Sequence, residues 1–294
     1  MTEKLSGKRI ILGKKLSTRK LEGELLRKRI ALPIFASDPL SSVAYGPQEL
    51  LMILTLGAVG GVSTLVFAPW IAAVVVALLT IVVLSYRKVI KAYPSGGGDY
   101  EVAKTNLGQR ASLIVACALL IDYVMTVAVS IASGTDNLIS AFPALDPFRI
   151  EIAVGFILFL LAVNLRGVRE SGVAFALPTY IFISSVFIMI GTGFFRMFVL
   201  GEDLTAPSAG YDVIVEQQLE TAPLLLMFLL LRAFASGSAA LTGVEAIANG
   251  VPAFREPKIK NAQITMTWMG ITAISMFAGI VFFGITTGVQ YIED

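Results

Sequence analysis

A chain of 294 residues with 56% apolar side chains and a mean hydropathy of +0.79 has too little polar surface to cover a water-soluble globule of its size. Its formal charge of +2, with the basic residues held in connecting segments, excludes a nucleic-acid partner. Histidine is absent, which removes the commonest metal ligand and general base, and a single cysteine, Cys117, excludes an intrachain disulfide framework.

Residues 1–30 read as a cytoplasmic basic segment, with ten Lys and Arg. They lack the short apolar core and small-residue cleavage site of a secretory signal. Leu21, Leu25 and Leu26 share a helical face among Lys20, Arg27, Lys28 and Arg29, a pattern that suits either a helix lying on an anionic leaflet or a solvated basic tail. From residue 31 to residue 294 the chain reads as a transmembrane domain. Seven stretches approach or exceed the roughly 20 residues needed to cross a bilayer, near 31–57, 65–86, 111–140, 150–166, 171–198, 222–250 and 263–288. Basic residues collect in alternate connections: Arg87, Lys88, Lys91, Lys104 and Arg110, then Arg166 and Arg169, then Arg255, Lys258 and Lys260. The opposite set contains only Arg149, which places the N-terminus in the cytoplasm and the chain as a multi-pass protein of the cell (inner or plasma) membrane.

The first stretch carries Phe35-Ala36-Ser37-Asp38-Pro39-Leu40-Ser41-Ser42, a carboxylate, a proline and hydroxyls at membrane depth. A buried ionised side chain costs at least about 2.5–3.5 kcal/mol, so each one needs a partner, a cavity or a function. Proline also removes a backbone donor and frees a carbonyl, so the helix is expected to break there and present oxygens to a cation. The bland alternative is a kinked helix in which Asp38 pairs with Arg232.

In the third stretch Asp122, Thr126 and Ser130 fall at i, i+4 and i+8, one oxygen-bearing stripe. Hydroxyls in membrane helices usually serve packing, and it is Asp122 that gives the stripe a functional reading. The sixth stretch repeats the interruption in Phe234-Ala235-Ser236-Gly237-Ser238, followed by Thr242 and Glu245 three residues apart on one face. Glu245 at that depth calls for a cation or a proton, with a salt bridge to Arg232 or a cytoplasmic lysine as the alternative. Two interrupted helices in corresponding places of two inverted halves mark the binding site of a secondary transporter.

The run Tyr93-Pro94-Ser95-Gly96-Gly97-Gly98-Asp99-Tyr100, with Leu107-Gly108 after it, resembles the segment that follows the second helix in the amino acid–polyamine–organocation superfamily, and Phe254-Arg255-Glu256-Pro257-Lys258 resembles the loop after its sixth helix. It lacks the Gly-Lys-Ser/Thr ending of a phosphate loop. Within that superfamily the chain is similar to the KimA-type and KUP-related potassium–proton symporters, through Asp38-Pro39-Leu40-Ser41-Ser42, Tyr45-Gly46, Asp122 with Thr126 and Ser130, and Thr242 with Glu245.

The resemblance implies an all-α LeuT-like fold, a five-plus-five inverted repeat truncated after about seven helices, with the first and sixth discontinuous. It implies that Asp38, Tyr45, Asp122, Thr126, Ser130 and Thr242 bind or line the path of potassium and that Glu245 couples a proton. The expected activity is potassium import by proton symport and alternating access, with no cofactor. Its partners are the potassium ion, the proton, the lipid bilayer and, as a further candidate, a second copy in a homodimer. Full members of that family run on past a seventh span. An amino acid or polyamine permease is the alternative, disfavoured because Asp38 repels a carboxylate and Pro39 offers no amide. A membrane-embedded enzyme built on Asp122 and Glu245 lacks a nucleophile motif and a metal cluster, so no enzyme is expected.

Overall fold

The computed structural model describes residues 25–55, 57–59, 62–165, 168–210, 217–219 and 223–290. Most of the basic segment 1–30 thus lies outside the described residues. Of its described part, residues 25–27 are not helical and Lys28–Ile30 open the first long helix. Leu26 is buried and pairs in parallel with Phe254, through Leu26 N donating to Ala253 O (2.8 Å) and Arg255 N donating to Leu26 O (3.1 Å).

Helix α1 spans Lys28–Thr55 and α2 Ala68–Ala92; a short α3, Gly98–Leu107, leads to the long α4, Gln109–Ala141. Helices α5, Arg149–Asn164, and α6, Val168–Phe194, follow, the latter running into a π turn at Phe195–Val199. Helix α7 covers Pro223–Gly237, α8 only Ala246–Asn249, and α9 Lys258–Thr286. Three short strands, β1 (Gly57–Val59), β2 (Val62–Ser63) and β3 (Gln217–Leu219), form a small sheet ordered β2-β1-β3 that apolar periodicity gave no reason to expect. The architecture is otherwise all-helical. In the order of the inverted repeat, α1, α2, α4, α5 and α6 make the first unit, and α7–α8 with α9 open the second.

Each of the seven expected stretches is mostly helical over its described residues. Five described segments are long and apolar enough to cross a bilayer: Thr64–Ala92, Gln109–Ala141, Phe175–Val199, Leu224–Asn249 and Lys258–Thr286. Helix α5 has 16 residues, about 24 Å at 1.5 Å per residue, so it falls short of a full hydrocarbon crossing. Helix α1 has the length, but its polar and charged centre dilutes its hydropathy.

The expected break in the first helix is corrected by the structure. Helix α1 runs through Pro33, Pro39 and Pro47 as one 28-residue helix. The prolines are spaced widely enough that each removes a single backbone bond and leaves intact turns between them. The carbonyl deprived by Pro33 is that of Arg29, and it accepts instead from the Tyr180 hydroxyl of α6 at 2.8 Å. The sixth helix does break. After Gly237 the chain tightens into a 3-10 turn at Ser238–Leu241, Thr242 becomes extended (φ −68°, ψ 151°) and Gly243 takes φ +76° before α8 begins.

The buried core lies among α1, α2, α7–α8 and α9, where Leu40, Leu50, Leu79, Met266, Met269 and Phe277 are among the largest enclosed side chains. Van der Waals packing by small residues holds membrane helices together. Gly270 faces Val83, Gly237 faces Leu50 and Gly46 lies against Ala240, so α1 meets the α7 break at close range. Helices α4, α5 and α6 instead leave most of their apolar side chains exposed, as suits lipid-facing surface.

Candidate functional site

The close approach of α1 to the α7–α8 break assembles the site. On α1, Asp38, Ser42 and Tyr45 fall on one face at i, i+4 and i+7. The Ser42 hydroxyl shares hydrogen bonds with Tyr45 Oη (2.7 Å) and, across the helix boundary, with Thr242 Oγ1 (2.9 Å). Thr242 Oγ1 also lies 2.8 Å from Ala239 O, to which it donates. Three hydroxyls therefore converge where the sixth helix unwinds. Ser42 was not singled out as a site residue from the sequence, although its spacing from Asp38 and Tyr45 carried the signal.

Asp38 sits directly against the break. A side chain added at Gly243 would place its first carbon 2.5 Å from Asp38 Oδ2 and 2.8 Å from Pro39 Cδ. Only glycine permits both the left-handed backbone and this approach. Asp38 Oδ1 is buried and has no hydrogen-bond partner, and the same holds for Glu245 Oε1 on a residue only 7% exposed. A buried carboxylate oxygen without a partner is costly, so the pair marks a place that a cation or a proton would satisfy.

Asp122 of α4 lies close enough for its charge to act on both Asp38 and Glu245. The charges of Asp38, Asp122 and Glu245 are thus felt by one another across this region. Among the described residues no ion pair joins Arg232 to any of them; Arg232 is exposed, so neither neutralising salt bridge foreseen for Asp38 or Glu245 forms. Thr126 is half-buried and Ser130 exposed, and no described hydrogen bond ties either hydroxyl to the cluster. Of the α4 stripe, Asp122 is the member whose charge acts on the acids of the break.

A second polar group lies just beyond Glu245, and sequence reasoning missed it. Tyr86 of α2 donates to both oxygens of Asp99 (2.9 and 2.8 Å), while Asn249 Nδ2 donates to Tyr123 Oη at 2.9 Å. A groove of about 550 Å3 beside α1, α6 and α9, lined by Met52, Met189 and Phe283 with Gln48, Thr55, Thr287 and Gln290 among them, is mostly apolar and holds no charged side chain. Among the described residues no cluster of three or more acids and cysteines has the geometry to hold a resident metal ion.

A helix break lined by hydroxyls and acids, in a mostly helical multi-pass membrane protein, is the arrangement in which inverted-repeat secondary transporters hold their substrate and coupling ions. The comparison with protein families agrees: residues 40–291 match the amino acid permease family, and the chain belongs to it, within the amino acid–polyamine–organocation superfamily. The chain is also 42% identical over 274 residues to the potassium transporter KimA of Bacillus subtilis (strain 168). That match covers 93% of this chain and 43% of the relative, so the chain spans less than half of the relative's length.

Proposed function

We propose that this chain carries the ion site of a potassium importer driven by the proton gradient. The observation that carries the reading is the junction of α1 with the α7–α8 break. There Ser42, Tyr45 and Thr242 bring their hydroxyls together beside two buried carboxylate oxygens, of Asp38 and Glu245, that have no partner.

Potassium is a large, weakly hydrated cation that suits neutral oxygens with limited negative charge. Asp38 supplies the charge, and Ser42, Tyr45 and Thr242 the neutral ligands, with Asp122 adding to the negative field. Thr126 and Ser130 are assigned to the lining of the ion's path. Glu245, buried behind the cluster, is assigned the proton, because a carboxylate that is charged in one state and neutral in another links proton release to ion binding. The N-terminus is placed in the cytoplasm of a cell membrane by the distribution of Lys and Arg. Alternating access then amounts to opening first one side and then the other of the α1 and α7–α8 contact.

Potassium-limited growth and rubidium uptake test this in a bacterium lacking its own potassium importers, expressing the complete reading frame that encodes this chain. Rescue is expected from the parent. It should be lost in Asp38→Asn, and in Glu245→Gln the uptake should lose its dependence on the proton gradient. A second reading, an amino acid or polyamine permease, has the family match in its favour. Uptake of labelled amino acids or polyamines without rubidium uptake would establish it and sink the potassium assignment.

A further inference from the structure

The segment Tyr93–Tyr100 has three successive glycines with positive φ, Gly96 (81°), Gly97 (88°) and Gly98 (43°). Flexibility does not explain them, because the backbone there is pressed against a neighbour. A first side-chain carbon at Gly96 would lie 2.6 Å from Pro252 Cδ and 2.8 Å from Asn249 O, and one at Gly98 would overlap Asn249 Oδ1. The loop therefore grips the short stretch from α8 to Pro252, which follows the helix break.

Both sides of this grip are tied. Asp99, next to the glycines, accepts from the Tyr86 hydroxyl on α2 through both carboxylate oxygens. Asn106 Nδ2 donates to Tyr93 Oη at 2.8 Å, closing the loop onto α3. From the other side Tyr123 of α4 accepts from Asn249. Asn249 N in turn donates to Glu245 O at 2.9 Å, so the gripped residue is one helical turn from the buried glutamate. The one phenol proton is shared between the two oxygens, and a hydrogen bond to a charged carboxylate is stronger than a neutral one, so its loss must be felt by the loop it anchors.

We infer that Tyr86 and Asp99 are positioning residues. They hold the Gly96–Gly98 loop as a clasp over α8, and release of that clasp is the step that opens Glu245 to the side of the membrane carrying the loop. The inference rests on the transporter reading for its purpose, but the clasp is a structural claim that stands or falls by itself. Neither Tyr86 nor Asp99 needs to touch the ion.

The test places a reporter thiol in α8. Ala248 is 2% exposed, and Ala248→Cys in a background in which Cys117 and any further cysteine of the full-length protein are replaced by serine gives one cysteine whose reaction with a membrane-impermeant maleimide reads the opening of the clasp. Ala246→Cys serves as an independent second reporter. Labelling is measured in the full-length protein, in inside-out and right-side-out vesicles, with and without potassium. Tyr86→Phe and Asp99→Asn are each expected to raise the labelling rate about tenfold on the loop's side only, the factor that one hydrogen bond to a charged acceptor is worth. Asp99→Glu, which keeps the acceptor, should restore slow labelling.

Labelling within about twofold of the parent in both variants would overturn the clasp, since a group worth less than one hydrogen bond cannot hold it. Equal acceleration from both sides of the membrane would overturn it too, as general loosening. Potassium separates this claim from the functional reading. A labelling rate that responds to Tyr86→Phe but not to potassium would keep the clasp and count against the potassium site.

Discussion

The two proline- and glycine-marked segments that face each other at the centre of the molecule look alike in sequence and differ in structure. Residues 35–42 keep their helix through Pro39, whereas residues 237–245 lose theirs. Removing a donor therefore does not suffice to unwind a membrane helix whose other turns are intact; a residue with φ +76°, Gly243, does. One partner is a rigid arm carrying Asp38, Ser42 and Tyr45, and the other an unwound strand that supplies Thr242 and closes over them. The site is asymmetric, although its sequence signs are nearly symmetric.

The sharpest way to break this contrast is Gly243→Ala. The new methyl would meet Asp38 at 2.5 Å on a left-handed backbone, so a cost of roughly 1–3 kcal/mol is expected from strain alone. Rubidium uptake should fall at least about tenfold, the factor equal to 1.4 kcal/mol, while membrane expression survives. Normal uptake would mean that the break does not depend on glycine.

Ser42→Ala comes next. It removes the hydroxyl that links Tyr45 to Thr242 across the two segments, a loss of about 1 kcal/mol for a hydrogen bond. An apparent KM for rubidium raised about fivefold with little change in maximal rate is expected if the hydroxyl serves binding. A fall in maximal rate at constant KM would reassign Ser42 to the conformational step.

Tyr180→Phe probes the continuity of α1. It leaves the Arg29 carbonyl without the hydroxyl that replaces the donor missing at Pro33, and a loss of about 1 kcal/mol is expected. Thermal unfolding in detergent should report it as a lower Tm. The smallest effect is expected from Pro39→Ala. Because α1 is already helical at Pro39, supplying an amide there changes little, and uptake should stay within about twofold, less than one hydrogen bond's worth. Loss of transport in Pro39→Ala would show that α1 bends at Pro39 during the cycle, and that its continuity belongs to one state only.

Much of this was legible in the sequence, for physical reasons. Long apolar stretches announce membrane helices because lipid admits little else, and Asp38, Asp122 and Glu245 stand out because charge is costly there. Thr242 was found by its spacing from Glu245. The substitute for the donor missing at Pro33 was hidden, because it is Tyr180, a hydroxyl 151 residues away in the chain from the Arg29 carbonyl it serves. The Tyr86–Asp99 and Asn249–Tyr123 links were hidden likewise: each joins ordinary polar residues of different elements, and only the fold brings them together. The α4 stripe was legible by its spacing alone, and along it Asp122 and Thr126 are half-buried while Ser130 is exposed.

The Tyr180 bond has a mechanical meaning as well. By lending its hydroxyl to Arg29, α6 acts as a splint on the N-terminal end of α1. Any tilt of that end away from α6 must first snap one specific, spectroscopically addressable tyrosine contact. The phenol of Tyr180 is thus a built-in strain gauge: its vibrational signature would register each departure of α1 from its resting pose without a foreign label.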